Sequence, residues 1–197
     1  MSLSELIKAR ETSALQVGLG MMRVAELQAI ATVAQHINAK AYVSIGCGQG
    51  YDFLLLRENY RSVPALGFDV CAVSPDNVYP EVEFHREGIF QSDRYVFHPH
   101  VHDKIRSFLG KNPGPALFYT DNGLKIDELR ELIPHVKADD VMGTHDWGID
   151  PLTPVGTYAE VLEHACGFLY DAGFKVFEPV ESWIKSHKCL QRFWIKA

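Results

Sequence analysis

Residues 42–50, YVSIGCGQG, join a buried strand to a glycine-rich turn. The run AYVSI (41–45) has the continuous apolar composition of a strand covered on both faces. Glycines follow it at positions 46, 48 and 50. Each glycine costs roughly 0.5–1 kcal/mol of ordering entropy relative to alanine, so three of them exceed what a tight strand-to-helix turn requires. The pattern therefore indicates a backbone that a ligand approaches closely.

Strand and helix patterns alternate along the rest of the chain. Apolar or alternating runs predict strands at 64–70, 81–88, 115–120, 140–147, 174–180 and 189–197. Helical spacing predicts helices within 3–37 and at 51–59, 100–110, 125–136 and 157–173. This order predicts an α/β fold with a Rossmann-like, doubly wound and mostly parallel sheet of about seven strands. The last two strands lack a long helix between them, so we expect a C-terminal antiparallel hairpin.

Composition and charge exclude several classes of protein. The chain has 197 residues, 47% of them hydrophobic, and a formal net charge of −6 with no basic run, which argues against a nucleic-acid interface. The start MSLSELIKARE lacks the apolar stretch of a signal peptide, and no apolar run approaches membrane-spanning length. The four cysteines follow no metal-binding spacing and are expected to be reduced thiols. We therefore expect a cytoplasmic protein with no membrane or nucleic-acid partner.

The glycine spacing decides between two kinds of ligand. A dinucleotide-binding turn needs GxGxxG, and counting from Gly46 the third glycine would stand at position 51, which is Tyr51. The phosphate-binding P-loop also fails, because no Gly-Lys-Ser/Thr sequence follows. A nicotinamide-dependent oxidoreductase stays an alternative interpretation, weakened by Tyr51.

The pattern GxGxG after the first strand, with Asp69 at the end of the second, resembles the class I S-adenosylmethionine-dependent methyltransferases. The resemblance assigns residues 41–197 to a methyltransferase domain and residues 1–40 to an N-terminal helical extension. It implies that S-adenosylmethionine lies against the turn residues Gly46, Cys47, Gly48 and Gly50. It also implies that Asp69 accepts hydrogen bonds from the ribose, and that Gly88 and Ile89 contact the adenine. Ser44 departs from the pattern, because many family members carry an acid at this strand position.

A second group of polar residues follows the fourth and fifth predicted strands. Asp121, His145 and Asp146 stand at strand ends that lie at the same edge of a parallel sheet. Their placement resembles the small metal-dependent O-methyltransferases of the catechol type and of the cephalosporin-hydroxylase and macrocin type. That resemblance implies that the three residues hold Mg²⁺ or another divalent cation, with Asp121 also beside the cofactor. Two alternatives stay open: His145 is a general base without a metal, or Asp121 caps a helix and His145 is an ordinary loop residue.

The resemblance implies methylation of a small-molecule acceptor, with oxygen as the expected acceptor atom. The fourth strand is followed by Asp-Asn-Gly-Leu (121–124), which is not the Asn/Asp-Pro-Pro-Tyr/Phe run of nucleic-acid methyltransferases. A non-catalytic, methyltransferase-like binding domain is a further alternative. The N-terminal helices are expected either to cover the acceptor site or to form a homodimer interface.

Overall fold

A seven-stranded sheet forms the centre of the computed structural model, which describes residues 24–71, 78–91, 95–148 and 161–197. The main strands are β1 (Ala41–Ile45), β2 (Ala65–Asp69), β3 (Val82–Arg86), β4 (Ala116–Thr120), β5 (Val141–His145), β8 (Phe174–Val176) and β9 (Gln191–Lys196). Two short strands, β6 (Trp147–Gly148) and β7 (Val161–Leu162), pair with each other outside this sheet.

In the described part of the chain, six α-helices pack around the sheet. They are α1 (Val24–His36), α2 (Tyr51–Asn59), α3 (Pro99–Lys111), α4 (Lys125–Leu132), α5 (Gly167–Asp171) and α6 (Glu181–Ser186). Short 3₁₀ segments lie at Ile133–His135, Glu163–Cys166 and Glu178–Val180. The predicted helical segment within 3–37 is confirmed over α1, and its first part lies outside the described residues.

The strand order is β3-β2-β1-β4-β5-β9-β8. Neighbours from β3 to β5 run parallel, whereas β9 lies antiparallel to both β5 and β8. The predicted doubly wound sheet of about seven strands with a C-terminal hairpin is therefore confirmed. Since the chain moves outward from β1 to β3 and then returns to β4 on the other side, the strand order reverses between β1 and β4. Ligands of such sheets bind outside the carboxyl ends of the strands at this reversal.

Apolar side chains cover both faces of the sheet. Every residue of β1 is buried, as the continuous apolar run predicts. Tyr42 points into the layer that contains α1 and α2, whereas Val43 and Ile45 point into the layer that contains α3, α4 and α5. This alternation follows from the two-residue period of a strand, and it leaves only the strand ends available for polar chemistry.

The segment after β6 differs from its prediction. A single helix predicted over 157–173 is wrong for the part that the structure describes, because Val161 pairs with Trp147 and the helix α5 begins only at Gly167. Val161 is fully buried. A β-branched side chain buried in strand pairing overrides the helical spacing of its neighbours.

Two further expectations concern membrane-spanning helices and the state of the cysteines. Within the described ranges, every helix is too short or too polar to cross a lipid bilayer. The four cysteines are free thiols, of which Cys71 alone is exposed.

We predict opposite stability effects for the same Gly→Ala change at two positions. A β-carbon at Gly143 in β5 would lie 2.5 Å from Cε1 of Phe193 and 3.1 Å from Cδ2 of Tyr119, so Gly143→Ala should lower the free energy of unfolding by about 1–3 kcal/mol. At Gly110, near the end of α3, no atom of the described residues lies within 4 Å of such a carbon. Gly110→Ala should therefore raise the free energy of unfolding by up to about 1 kcal/mol. Urea unfolding measures both, and equal effects of the two variants would contradict this packing.

Candidate functional site

The three glycines of the turn all adopt left-handed backbone conformations, with φ of +79° at Gly46, +53° at Gly48 and +80° at Gly50. Gly50 directly precedes α2, and its N–H donates to the carbonyl of Cys47 at 2.8 Å. A left-handed conformation costs a residue with a β-carbon roughly 1–2 kcal/mol. The backbone of the turn therefore favours glycine at each position, independently of any ligand.

Gly46 also lies against the loop that follows β4. A β-carbon at this position would lie 2.6 Å from the carbonyl carbon and oxygen of Asp121 and from the backbone nitrogen of Asn122. No side chain fits in that space, so protein packing alone accounts for Gly46. The same contact brings Asp121 beside the turn, as the resemblance implies.

Gly48 has a different environment. Its backbone N–H donates to Oδ2 of Asp69 at 2.7 Å, and Oδ1 of Asp69 accepts from the backbone N–H of Cys71 at 2.7 Å. Among the described residues, nothing lies within 4 Å of a β-carbon built on Gly48, and the residue is exposed. Gly48 and Asp69 thus border an open, exposed space, here called the crevice, at the carboxyl ends of β1 and β2 and beside the reversal of strand order.

The remaining predicted cofactor residues lie around this crevice. Cys47 is buried with Sγ 3.5 Å from the carbonyl oxygen of Phe68, so only its backbone can face a ligand. The N–H of Glu87 donates to the carbonyl of Asp69 at 2.9 Å, which brings the neighbouring Gly88 to the same edge of the sheet. Ile89 is only 3% exposed and packs in the core, so most of its side chain is covered.

A buried carboxylate lies beneath the turn, in the first turn of α2. Oδ2 of Asp52 accepts hydrogen bonds from the hydroxyls of Tyr42 at 2.8 Å and Ser44 at 2.7 Å, and Oδ1 accepts from the backbone N–H of Phe53 at 2.9 Å. Burial raises the pKa of Asp52 from 3.8 to about 6, although these hydrogen bonds partly oppose the rise. Ser44 stands where the resemblance leads us to expect an acid, and it binds the carboxylate of Asp52 instead.

The second predicted group converges at the ends of β4 and β5. Nδ1 of His145 lies 3.1 Å from Oδ1 of Asp121 and 3.1 Å from Oδ1 of Asp146. One ligand atom from each of the three residues lies within 4.8 Å of the other two, a spacing that a metal ion could bridge. Asp146 has a left-handed backbone with φ of +52°, which aspartate tolerates better than most residues.

Two further charged residues complete this group, which we call the ion cluster: Glu26, Asp121, Lys125, His145 and Asp146. Nζ of Lys125 lies 3.0 Å from Oδ2 of Asp146 and 3.7 Å from Oδ1 of Asp121. Oε2 of Glu26 in α1 lies 3.3 Å from Nε2 of His145, and Oε1 accepts from the N–H of Leu190 at 3.1 Å. The carboxylates in the cluster therefore already face cations of the protein itself.

The pKa values in the cluster follow from burial and from these contacts. Burial alone would lower the pKa of His145, but the carboxylates of Asp121, Asp146 and Glu26 raise it to about 12. Burial raises the pKa of Asp121. At the partly exposed Asp146, the nearby His145 and Lys125 outweigh the effect of burial and lower the pKa. An imidazole that keeps its proton is suited to holding carboxylates in position, so the arrangement is unfavourable to His145 as a general base.

The site contains charged residues that were not predicted, and they differ in how far the sequence indicates them. Lys125 had a detectable signal, because it follows Asp121 by one helical turn. Glu26 had none, because nothing in the sequence connects α1 with the end of β5. Glu128 is fully buried in α4, and burial raises its pKa to about 8, so it carries a proton at neutral pH. Glu128 lies three residues after Lys125 on an amphipathic helix, and this position does not distinguish it in the sequence from other residues of the helix.

Comparison with solved structures establishes the fold. A protein from Corynebacterium glutamicum superposes with a TM-score of 0.61 at 12% identity, over 98% of this chain and 90% of that one. The SAH-bound methyltransferase PaMTH1 from Podospora anserina gives 0.59 at 14%, over 99% and 87%. An O-methyltransferase from Bacillus cereus in complex with SAH gives 0.55 at 11%, over 98% and 90%.

No protein-family model matches the sequence, and no curated protein is similar to it. The chain thus has the Rossmann-like fold of the methyltransferases to which it is similar.

We predict that Asp52 makes the protein less stable as the pH rises. A carboxyl whose folded pKa is raised holds its proton more tightly in the folded state, so the free energy of unfolding falls as pH passes from 3.8 toward about 6. Relative to Asp52→Asn, which cannot titrate there, the wild type should lose about 2 kcal/mol between pH 4.5 and pH 7.5. Urea unfolding of both proteins at the two pH values measures this difference. Parallel pH dependence of wild type and variant would contradict the buried, ionisable state of Asp52.

Proposed function

We propose that the protein is a methyltransferase that uses S-adenosylmethionine to methylate a small molecule, with oxygen as the acceptor atom. The carrying observation is the crevice at Gly48. There the turn presents an exposed glycine with open space beside it among the described residues, directly hydrogen-bonded to the carboxylate of Asp69. All three glycines of the turn have left-handed backbones, but Gly48 alone of the three is exposed, so a ligand of the turn would contact it there.

The residues around the crevice fit the cofactor by their chemistry. A carboxylate accepts hydrogen bonds from a pair of hydroxyls, and Asp69 keeps accepting capacity because, among the described residues, each of its oxygens accepts one backbone N–H. Its negative charge would repel a phosphate at the same place. Asp69 would thus hold the ribose, the backbone of residues 46–50 would lie along the methionine part, and Gly88 with the backbone of Ile89 would border the adenine.

When bound, the cofactor would supply the methyl group of a sulfonium: the acceptor oxygen bonds to the methyl carbon as the S–CH₃ bond breaks, the thioether S-adenosylhomocysteine leaves, and the hydroxyl proton passes to solvent. The protein then contributes mainly by positioning, since in-line approach of the two reactants supplies most of the acceleration. The ion cluster lies next to the turn, because Asp121 belongs to the cluster and packs on Gly46. We therefore assign Asp121, His145 and Asp146 to holding the acceptor beside the methyl group.

The structural neighbours favour this function over the alternatives. PaMTH1 and the Bacillus cereus protein, which share the fold, are a methyltransferase and an O-methyltransferase in complex with SAH. A nicotinamide-dependent oxidoreductase is disfavoured, because Tyr51 stands where a dinucleotide turn needs its third glycine and begins α2 instead. A non-catalytic binding domain would bind the cofactor without transferring its methyl group.

Calorimetric titration with S-adenosylmethionine and S-adenosylhomocysteine, with NAD as the control ligand, tests the proposal. We expect micromolar binding of both sulfur compounds and no binding of NAD. Gly48→Ala should weaken this binding by about tenfold or more, because the new methyl group enters the crevice while meeting no described atom of the protein.

Gly173→Ala is the matched control, since Gly173 also has a left-handed backbone, with φ of +83°, and a β-carbon there would meet only Nζ of Lys196 at 3.6 Å, an ordinary contact. It should leave cofactor binding unchanged. Failure of both sulfur compounds to bind the wild type would refute the function, and equal affinities of wild type and Gly48→Ala would refute the assigned binding position.

A further inference from the structure

An ammonium group of the protein lies beside the two carboxylates that would hold a divalent cation in the ion cluster. Nζ of Lys125 lies 3.0 Å from Asp146 and 3.7 Å from Asp121, the two carboxylates that would otherwise supply the oxygens for a metal. The lysine side chain is only 4% exposed. A buried ammonium is tolerated only with a counter-charge, so Lys125 needs these carboxylates as much as they need a cation.

Both ring nitrogens of His145 face carboxylates of the protein. Nδ1, the ring nitrogen nearest Asp121 and Asp146, lies 3.1 Å from an oxygen of each. The other nitrogen, Nε2, lies at ion-pair distance from Glu26. Each ring nitrogen therefore has a carboxylate oxygen of the protein within ion-pair distance.

We propose that Lys125 and His145 replace a divalent metal at this site, so that the ion cluster works without one. The helix α4 fixes the replacement, because it begins at Lys125, one turn after Asp121. The link between the cluster and methyl transfer rests on the proposed function, but the occupation of the metal position does not. Removal of the lysine should leave two facing carboxylates without their ammonium and open the position to a metal.

Manganese binding tests this proposal without an activity assay. We expect calorimetric titration with MnCl₂ to give no binding tighter than millimolar for the wild type. Lys125→Met should bind Mn²⁺ at least about tenfold more tightly, since two carboxylates released from an ammonium attract a divalent ion strongly. Lys125→Gln, which keeps a polar head group at the same place, should show the same gain if Lys125→Met does not fold.

Matched variants identify the binding position. Lys104→Met removes another lysine of an ion pair, 2.6 Å from Glu87 and outside the ion cluster, and should leave Mn²⁺ affinity at the wild-type level. Adding Asp121→Asn to Lys125→Met should abolish the gain.

Micromolar binding of Mn²⁺ by the wild type that Asp121→Asn abolishes would overturn the proposal, as would folded lysine variants that gain no affinity. Both results are independent of S-adenosylhomocysteine binding. A failure of the proposed function would therefore be seen separately, in the cofactor titration.

Discussion

The contact between Gly46 and the backbone after β4 is the constraint on which the site depends. A β-carbon at position 46 would not fit beside the backbone of Asp121. The ends of β1 and β4 therefore lie closer together than any residue other than glycine at this position would allow. A hydrogen bond of 2.7 Å from the N–H of Asp121 to the carbonyl of Ile45 fixes the same junction. The cofactor turn on one side and the ion cluster on the other are thus held at a fixed spacing by backbone atoms. Side-chain motions alone cannot change that spacing.

Asp52 and Asp146 show two ways in which the protein accommodates a carboxylate that is shielded from solvent. Among the described residues, the groups that donate hydrogen bonds to Asp52 are neutral. The effect of burial is therefore larger than that of the hydrogen bonds, and the pKa of Asp52 rises. Asp146 has cations as partners, and its pKa falls despite partial burial. The first arrangement ties α2 to β1 beneath the turn, and the second arrangement keeps fixed charge at the edge of the sheet where an acceptor would lie. Neutral donors suit a structural support, whereas ion pairs suit a site that has to attract a polar ligand.

Much of the fold could be predicted from sequence, since its determinants are local. Buried strands appear as apolar runs, and the glycine turn marks the end of β1. The segment that includes Val161 could not be predicted, because its pairing with Trp147 depends on a distant part of the chain. For the site, strand ends in a parallel sheet correctly brought Asp121, His145 and Asp146 together. Glu26 escaped prediction, since its ion pair with His145 is set by the packing of α1 and leaves no periodic signal.

The contact between Glu26 and His145 gives α1 a part in the chemistry of the strand ends. Leu27 and Ile30 anchor this helix in the core, and the indole N–H of Trp183 in α6 donates to the carbonyl of Ala25 at 3.2 Å. A fragment that begins at residue 41 would therefore lose a hydrophobic layer and one carboxylate of the ion cluster at once. Any ligand or partner that shifts α1 would move Glu26 relative to His145. The electric field at the ends of β4 and β5 would then change through this one ion pair.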